Sequence, residues 1–222
     1  MENTRKNYRE TWNKLSISRE AALMHVAGYT DEARISYETE VNSISLLRNS
    51  IGIRPEDTVL EIGCGVGRVG KVLAPQVRRW IGCDVSDNML LHAADRLKGL
   101  SNVELVRVSG TDLAPIPDAS VDSVYCHVVF MHLEEWDRFA YVREAHRVLR
   151  PGGRFYCDNA NLDSEEGWAL FQASAAFPVD ARPAHLSRCS TATEISVYLR
   201  RAGFRETHTG FAGVWVTGCG VK

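Results

Sequence analysis

A glycine-rich loop follows an acidic residue in the segment VLEIGCGVGRVG. Gly63, Gly65 and Gly67 lack side chains, so the backbone can approach a ligand closely where a helix begins. The dinucleotide fingerprint G-x-G-x-x-G is incomplete, because Arg68 occupies its sixth position. The carboxylate of Glu61 would also repel a pyrophosphate in a partly desolvated crevice. The loop therefore indicates a ligand that carries no phosphates.

A second acidic residue stands 23 positions after Glu61, at the end of the next predicted strand. This residue, Asp84, occupies the position at which doubly wound folds hold ribose hydroxyls. The two acids together indicate a ligand with a ribose and with a positive or zwitterionic group for Glu61 to face. S-adenosylmethionine meets these conditions and has no phosphates.

Two histidines follow the fourth predicted strand. His127 ends this strand, at the carboxyl edge of the sheet where ligands bind, and His132 comes five residues later, where the next helix begins. The ordinary pKa of histidine suits proton removal near neutral pH. For His132 two roles stay open, a catalytic base and a residue that packs the helix start. For His127 the alternatives are contact with the methionine end of the cofactor and catalysis.

Strands alternate with helices from Thr58 onward, which favours a parallel sheet with helices on both faces. The predicted strands are TVLEIG, RRWIGCD, NVELVRVS, VDSVYCH, RFYCDN, FRETHTGF and GVWVTGCG. A short glycine-containing turn joins the last two strands, which predicts an antiparallel edge. The predicted fold is α/β, a Rossmann-like doubly wound, seven-stranded and mostly parallel sheet with an antiparallel last strand.

The first 50 or so residues show helical spacing of apolar side chains. Thr30 is the expected N-cap and Gly52 the expected C′ residue, with Pro55 blocking continuation. The apolar residues with helical spacing are Tyr37, Val41, Ile44, Leu47 and Ile51. Later helices are predicted over 68–74, from the N-cap Ser86 to Lys98, over 134–149 and over 193–202.

Four motifs in order resemble the class I S-adenosylmethionine-dependent methyltransferases, closest to the small-molecule group of type 11 or type 12. The motifs are VLEIGCGVG, IGCDVSDNML, VDSVYCHVVFMHL and LRPGGRFYCD, and together they cover residues 55–160. The resemblance implies that Glu61 and the three loop glycines bracket the methionine portion of the cofactor. It implies that Asp84 holds the ribose hydroxyls.

The third motif departs from the pattern of these relatives, many of which have Gly-Asp-Ala after strand three. Here the run is Ser109-Gly110-Thr111-Asp112, so either Thr111 or Asp112 reaches the adenine edge. The residues expected at the cofactor are Glu61, Gly63, Cys64, Gly65, Gly67, Arg68, Asp84, Val85, Met89, Gly110, Thr111, Asp112, Cys126 and His127. Among these, Cys64 and Cys126 contribute through their backbone, and Val85 and Met89 flank the adenine.

The resemblance also implies the domain organisation. Residues 1–54 are expected to form an N-terminal helical lid, and 55–222 the cofactor-binding domain. An irregular insertion at about 160–190 is expected at the acceptor site. Four lid residues could either contact the acceptor or pack the helices: Tyr8, Trp12, His25 and Tyr29. Three residues after strand five could line the same pocket: Asn159, Asn161 and Trp168.

Charge and composition exclude several classes of protein. The chain has 26 basic and 28 acidic residues, a net charge of −2, so a nucleic-acid partner is not expected. No apolar run approaches the ~20 residues of a membrane span, and the N-terminus is too polar for a secretory signal, which predicts a cytoplasmic protein. The segment CHVVF contains no acid that could hold magnesium, so no metal is expected.

The predicted function is S-adenosylmethionine-dependent methyl transfer, by in-line displacement, to an O or N atom of a small-molecule acceptor, with His132 as the candidate base. The alternative is a non-catalytic S-adenosylmethionine-binding or scaffold protein. A dinucleotide-dependent oxidoreductase is disfavoured by Arg68 and Glu61. The sequence leaves the acceptor's identity and the oligomeric state open.

Overall fold

The computed structural model describes residues 7–222, and residues 1–6 of the predicted lid lie outside the described part. The helices are α1 (Asn7–Leu15), α2 (Arg19–Ala27), α3 (Glu32–Glu38), α4 (Ser45–Ile51), α5 (Arg68–Leu73), α6 (Asp87–Arg96), α7 (Glu135–Val148), α8 (Glu165–Ala175) and α9 (Ala192–Ala202). The strands are β1 (Thr58–Ile62), β2 (Arg79–Asp84), β3 (Val103–Arg107), β4 (Val121–Cys126), β5 (Leu149–Ala160), β6 (Arg205–Ala212) and β7 (Trp215–Val221).

The strands form one seven-stranded sheet in the order β3-β2-β1-β4-β5-β7-β6. Neighbouring strands from β3 to β5 are parallel, and β7 runs antiparallel to both β5 and β6. The predicted α/β fold with an antiparallel last strand is therefore confirmed. The antiparallel strand is not the edge, however, because β7 lies inside the sheet and β6 forms the edge.

The composition of the last hairpin explains its placement. Alternate residues of β7 are buried, whereas most of β6 is exposed or partly exposed. Small residues let β7 fit against the neighbouring helix: a Cβ on Gly218 would lie 2.3 Å from the Cγ2 atom of Ile195 on α9. The more apolar strand therefore occupies the inner position, and the polar strand faces solvent.

Helices cover both faces of the sheet, and each face has its own apolar core. On one face Trp80, Tyr125 and Tyr156 are fully buried against residues of α4, α5 and α6. On the other face Phe155 and Phe204 stack with ring centroids 5.3 Å apart, among residues of α7 and α9. All of β1 is buried, as expected for a central parallel strand, so the glycine loop begins from a strand held on both faces.

The N-terminal region is helical as predicted, but its buried stripe differs from the expected one. Tyr37 and Val41 are 68% and 47% exposed. A π-helical turn, Thr39–Ile44, joins α3 to α4 and adds residues to each turn. The buried stripe consequently repeats every fourth residue and includes polar Thr39 and Ser43, which pair with Arg68 of α5.

Three local expectations are corrected by the structure. The N-cap of α3 is Asp31 rather than Thr30, because its carboxylate accepts the Arg34 N–H. The N-cap of α9 is Thr191, two residues before the expected start. The segment expected to be irregular contains α8, whose N-cap is Ser164. Gly52 ends α4 in the left-handed conformation and Ser86 caps α6, as expected.

Within residues 7–222, no helix is long and apolar enough to cross a membrane.

Candidate active site

One cavity opens at the carboxyl ends of β1, β2 and β4 and is covered by α1 and α2. This first cavity contains most of the residues expected at the cofactor, together with the candidate base. Those that line it are Glu61, Gly63, Cys64, Gly65, Arg68, Asp84, Val85, Met89, Gly110, His127 and His132. The cavity lies where parallel α/β sheets bind ligands.

Four residues expected at the cofactor do not line this cavity. Gly67 begins α5 with φ 72°, and a Cβ there would lie 3.0 Å from Leu97. The side chain of Cys126 is fully buried in the apolar core. Thr111 pairs its hydroxyl with Ser109, and Asp112 accepts the backbone N–H of Ala114. The glycine of the third motif, Gly110, is the member of that run that reaches the cavity wall.

The glycine loop leaves no room for side chains at two positions. Gly63 has φ 72°, and a Cβ there would lie 2.5 Å from the Cγ2 atom of Val129. Gly65 has φ 51°, and a Cβ there would lie 3.2 Å from Val26 on α2. Both conformations favour glycine. The loop therefore presents bare backbone to the cavity.

Asp84 is held in place by two backbone amides. Its Oδ2 atom accepts the N–H of Gly65 at 2.8 Å, and its Oδ1 atom accepts the N–H of Ser86 at 2.9 Å. Burial raises the pKa of this carboxyl, and the backbone hydrogen bonds oppose the increase. Because each oxygen has a further lone pair, Asp84 can accept two hydroxyl protons from a ribose in the cavity.

Glu61 lies at the other end of the loop and is almost completely buried. Trp80 donates its indole N–H to the Tyr125 hydroxyl at 3.0 Å, and Tyr125 donates to Oε2 of Glu61 at 2.6 Å. Burial raises the pKa of Glu61 to about 8, against the opposing effects of the Tyr125 hydrogen bond and the Arg68 charge. The carboxyl is thus poised to ionise when a cation lies beside it.

The end of the cavity near β2 and β3 is apolar and is covered by α1. Val85, Met89 and Gly110 line it, and a Cβ on Gly110 would lie 3.6 Å from the Tyr8 ring. The Tyr8 hydroxyl donates to Asp137 at 3.1 Å and accepts the Glu134 N–H at 3.1 Å. Burial raises the pKa of Tyr8 to about 12.

His132 lines the first cavity next to α1. Its Nδ1 atom is 3.0 Å from the His185 carbonyl oxygen, and its ring centroid is 4.8 Å from that of Trp12. A carbonyl only accepts, so Nδ1 carries the proton and Nε2 is the free acceptor. Burial lowers the pKa of His132 to about 4, which keeps the ring neutral at pH 7.

His127 belongs to a hydrogen-bonded group that sequence reasoning did not find. Its Nδ1 atom forms a short hydrogen bond with Oδ2 of Asp158 on β5, and its Nε2 atom is 3.0 Å from the Ser43 hydroxyl. The Arg68 guanidinium donates to Ser43 at 3.0 Å and to Thr39 at 3.3 Å. Asp158 is the last residue of the LRPGGRFYCD motif, but nothing in that motif pairs it with His127.

The other residues expected near the acceptor divide into two groups. Trp12 and His25 line the first cavity. Tyr29 is not part of that lining, and its hydroxyl donates to Glu38 at 2.5 Å. Three residues lie elsewhere: Asn159 bonds Ser190, Asn161 caps the turn before α8, and Trp168 stacks on Phe171. Among residues 7–222, no group of three His, Cys, Asp or Glu side chains could hold a metal ion.

The sequence of this chain is similar to those of known methyltransferases. Residues 60–157 match the family model described as "Methyltransferase domain". The chain is 34% identical, over 151 residues, to a probable S-adenosylmethionine-dependent methyltransferase of Mycolicibacterium smegmatis, covering 68% of this chain and 53% of that protein. It is 29% identical, over 139 residues, to demethylmenaquinone methyltransferase of Listeria monocytogenes, covering 60% and 57%. The chain thus spans about half the length of these curated relatives.

Solved structures show the same fold. The YcgJ protein of Bacillus subtilis superimposes with a TM-score of 0.63 and 26% identity, over 75% of this chain and 69% of that chain. Magnesium protoporphyrin IX methyltransferase of Synechocystis, solved with bound S-adenosylhomocysteine, superimposes with a TM-score of 0.70 and 18% identity, over 96% and 97%. The sheet and the cavity at its carboxyl edge therefore define a Rossmann-like methyltransferase fold.

Residues 60–157 therefore carry a methyltransferase domain of the type 11 group, as the four motifs predicted. The curated relatives support S-adenosylmethionine, the cofactor that the sequence predicted. The residues present fit that cofactor. The loop at Gly63 and Gly65 presents bare backbone to the cavity, and each Asp84 oxygen has a lone pair beyond its backbone hydrogen bond. Glu61 is a buried acid whose hydrogen bond comes from a neutral hydroxyl, that of Tyr125.

Proposed function

We propose that this protein transfers the methyl group of S-adenosylmethionine to an oxygen or nitrogen atom of a small-molecule acceptor. The observation that carries the proposal is the first cavity, which combines a cradle for a nucleoside with the side chains of His127 and His132. When bound, S-adenosylmethionine supplies a methyl group that is already activated for displacement. The protein's part is to align the acceptor and to exclude water.

Each part of the proposed site has its own role. Asp84 would accept the ribose hydroxyls, and Glu61 would face the cationic methionine end. Val85 and Met89 would flank the adenine beneath Tyr8. His132 offers an unprotonated Nε2 atom to the acceptor, and His127 is the second histidine within reach.

We propose that residues 1–54 act as a lid on this cavity. Trp12 of α1 and His25 and Val26 of α2 line the cavity from above. The insertion at 160–190 also borders this cavity, because the carbonyl oxygen of its residue His185 accepts a hydrogen bond from the His132 ring. Hydrogen exchange of α1 and α2 should slow on addition of S-adenosylhomocysteine, and unchanged exchange would contradict the lid.

We further propose a small-molecule acceptor and a cytoplasmic location. The net charge of −2 provides no electrostatic attraction for a nucleic acid. The cavity is covered by two helices, which suits a compact acceptor better than a polymer.

Calorimetric titration with S-adenosylhomocysteine tests the cofactor site without knowledge of the acceptor. We expect one site per chain. Transfer of tritium from methyl-labelled S-adenosylmethionine into a small-molecule cell extract then tests catalysis. Folded protein that does not bind S-adenosylhomocysteine would overturn the proposal, and binding without any labelled product would favour the non-catalytic alternative.

A further inference from the structure

A second cavity adjoins the first on the side of the π-helical turn. It has a volume of ≈ 590 Å³ and lies between α3, the π-helical turn and the turn that joins β6 to β7. Val26, Arg68, His127 and Val128 line both cavities, so the two spaces meet at these side chains. A molecule in the second cavity would therefore approach the first cavity past His127.

The walls of the second cavity indicate the kind of molecule that fits. Tyr29, Leu46 and Trp215 are among the apolar and aromatic residues that line it. Two charged residues in the wall are already engaged. Glu38 accepts from the Tyr29 hydroxyl and from the guanidinium of Arg34, and Arg68 donates to the hydroxyls of Ser43 and Thr39. This composition suits a mainly apolar small molecule that carries a hydroxyl group rather than a strongly charged one.

The contacts of His127 determine which of its ring nitrogens can take a proton. The Asp158 carboxylate is fully buried and already accepts the Val128 N–H at 2.7 Å and the Tyr156 hydroxyl at 2.9 Å. An ionised carboxylate only accepts, so Nδ1 of His127 donates to it. The neutral ring then has its lone pair on Nε2, which faces the Ser43 hydroxyl in the second cavity.

The same arrangement offsets the charge that proton uptake creates. A carboxylate behind the imidazole fixes the tautomer and stabilises the imidazolium. Within residues 7–222, the Nδ1 atom of His132 faces the carbonyl oxygen of His185 in place of a carboxylate. The other charged or titratable groups around the junction are Arg68 of α5, Glu61 of β1 and His25 of α2, all of which line the first cavity.

We propose that His127, held by Asp158, takes the proton from a hydroxyl-bearing acceptor that binds in the second cavity and reaches the first cavity where the two meet. The acceptor's O–H replaces the Ser43 hydroxyl as the donor to Nε2, and Ser43 keeps its hydrogen bond from Arg68. This inference rests on the proposed methyl transfer and assigns to it a base and an oxygen acceptor.

The proposed step balances in atoms and electrons. The acceptor oxygen forms a bond to the methyl carbon with one of its lone pairs. The bond between that carbon and the cofactor sulfur breaks, and its electron pair stays on sulfur. The hydroxyl proton goes to Nε2 of His127, which becomes an imidazolium paired with Asp158 and later releases the proton to water.

Nitrogen NMR of the histidine rings tests the assignment without an acceptor. Protein labelled with ¹⁵N-histidine and saturated with S-adenosylhomocysteine is titrated from pH 5 to pH 9, and His127→Gln identifies the signals. We expect the neutral ring to carry its proton on Nδ1 and to have a bare Nε2. An Nε2–H tautomer would overturn the proposal. Failure to bind S-adenosylhomocysteine would instead count against the cofactor site, and the ring signals would still report the tautomer.

Activity variants separate a base from a structural histidine. With methyl-tritiated S-adenosylmethionine and a panel of simple phenols and alcohols plus a small-molecule extract, His127→Gln and Asp158→Asn should lower kcat by about 100-fold or more. In both variants the affinity for S-adenosylhomocysteine should fall much less than kcat. The exposed His208→Gln serves as the matched control and should behave as wild type.

Two other results would contradict the inference. If His127→Gln has the turnover and the pH dependence of the wild type, His127 is not the base. The proposed function would still stand in that case. If His127→Gln and Ser43→Ala both lower the thermal midpoint and reduce turnover equally, the hydrogen bonds only hold the π-helical turn against the sheet. Labelled products that are exclusively N-methylated would contradict the oxygen acceptor.

Discussion

The buried carboxyl of Glu61 should couple cofactor binding to pH. With a pKa of about 8, this carboxyl is only about one-tenth ionised at pH 7 in the free protein. A cationic ligand interacts favourably with the ionised form, so binding must first remove a proton. Below pH 8 the affinity for S-adenosylhomocysteine, whose amino group is cationic there, should rise about tenfold per pH unit. Binding at pH 7 should also release about 0.9 proton per ligand.

Calorimetry between pH 6 and pH 7.5, in buffers of different ionisation enthalpy, measures both quantities. Glu61→Gln removes the ionisable group, so its affinity should be lower and nearly independent of pH in this range. Glu56→Gln replaces an exposed glutamate outside the cavity and should retain the wild-type slope. A flat wild-type profile, or an equal slope in Glu61→Gln, would refute the reasoning.

The same pKa makes a prediction for stability in the absence of ligand. The folded pKa lies above the value of 4.5 expected for an unfolded glutamate, so the folded state binds more protons between pH 4.5 and 8. Stability contributed by Glu61 is fully present below pH 4.5 and is lost as the pH rises through 8. Urea unfolding of Glu61→Gln should therefore show a smaller loss of stability between pH 5 and pH 8 than wild type.

Three further substitutions probe separate parts of the site. Asp84→Ala should weaken S-adenosylhomocysteine binding by about 10- to 100-fold, because it removes the carboxylate that accepts the ribose hydroxyls and leaves two backbone amides unpaired. Asp95→Ala, on the exposed face of α6, should bind normally in the same titration. His132→Gln should keep the ligand affinity and lower the turnover of labelled product less than His127→Gln does, because the proposed base is His127; an equal or larger loss would favour His132 as the base. Gly63→Ala should cost about 1–2 kcal/mol from its positive φ alone, and more from the contact with Val129, so a wild-type urea midpoint would contradict the described loop.

Local sequence signals predicted the elements that depend on neighbouring residues. The glycine loop, the acid at the end of β2 and the Ser86 cap all occur where their spacing indicated. Cap positions failed where two candidates stood side by side, as for Thr30 and Asp31, because the winning hydrogen bond depends on the angle at which the chain enters the helix. Helix α8 was not predicted, because the prolines of the segment 160–190 indicated irregular structure and outweighed the possible N-cap at Ser164.

The N-terminal stripe shows a different kind of limit. Apolar residues alone suggested a face that includes Tyr37 and Val41, and both are exposed. The π-helical turn instead brings Thr39 and Ser43 to the buried side, where they meet Arg68. Periodicity cannot predict such a turn, because the polar residues become favourable there only when a guanidinium from another element pairs with them.

The sequence by itself determined the family, the cofactor and the order of the elements, because each follows from residues close together in the chain. Only the tertiary structure decided which residues act together across long separations. His127 and Asp158 lie 31 positions apart and become partners because β4 and β5 are adjacent parallel strands in register. Ser43 joins them from a helix 84 positions before His127. Strand register and helix packing set these distances, and both are settled by burial of the whole core rather than by any local motif.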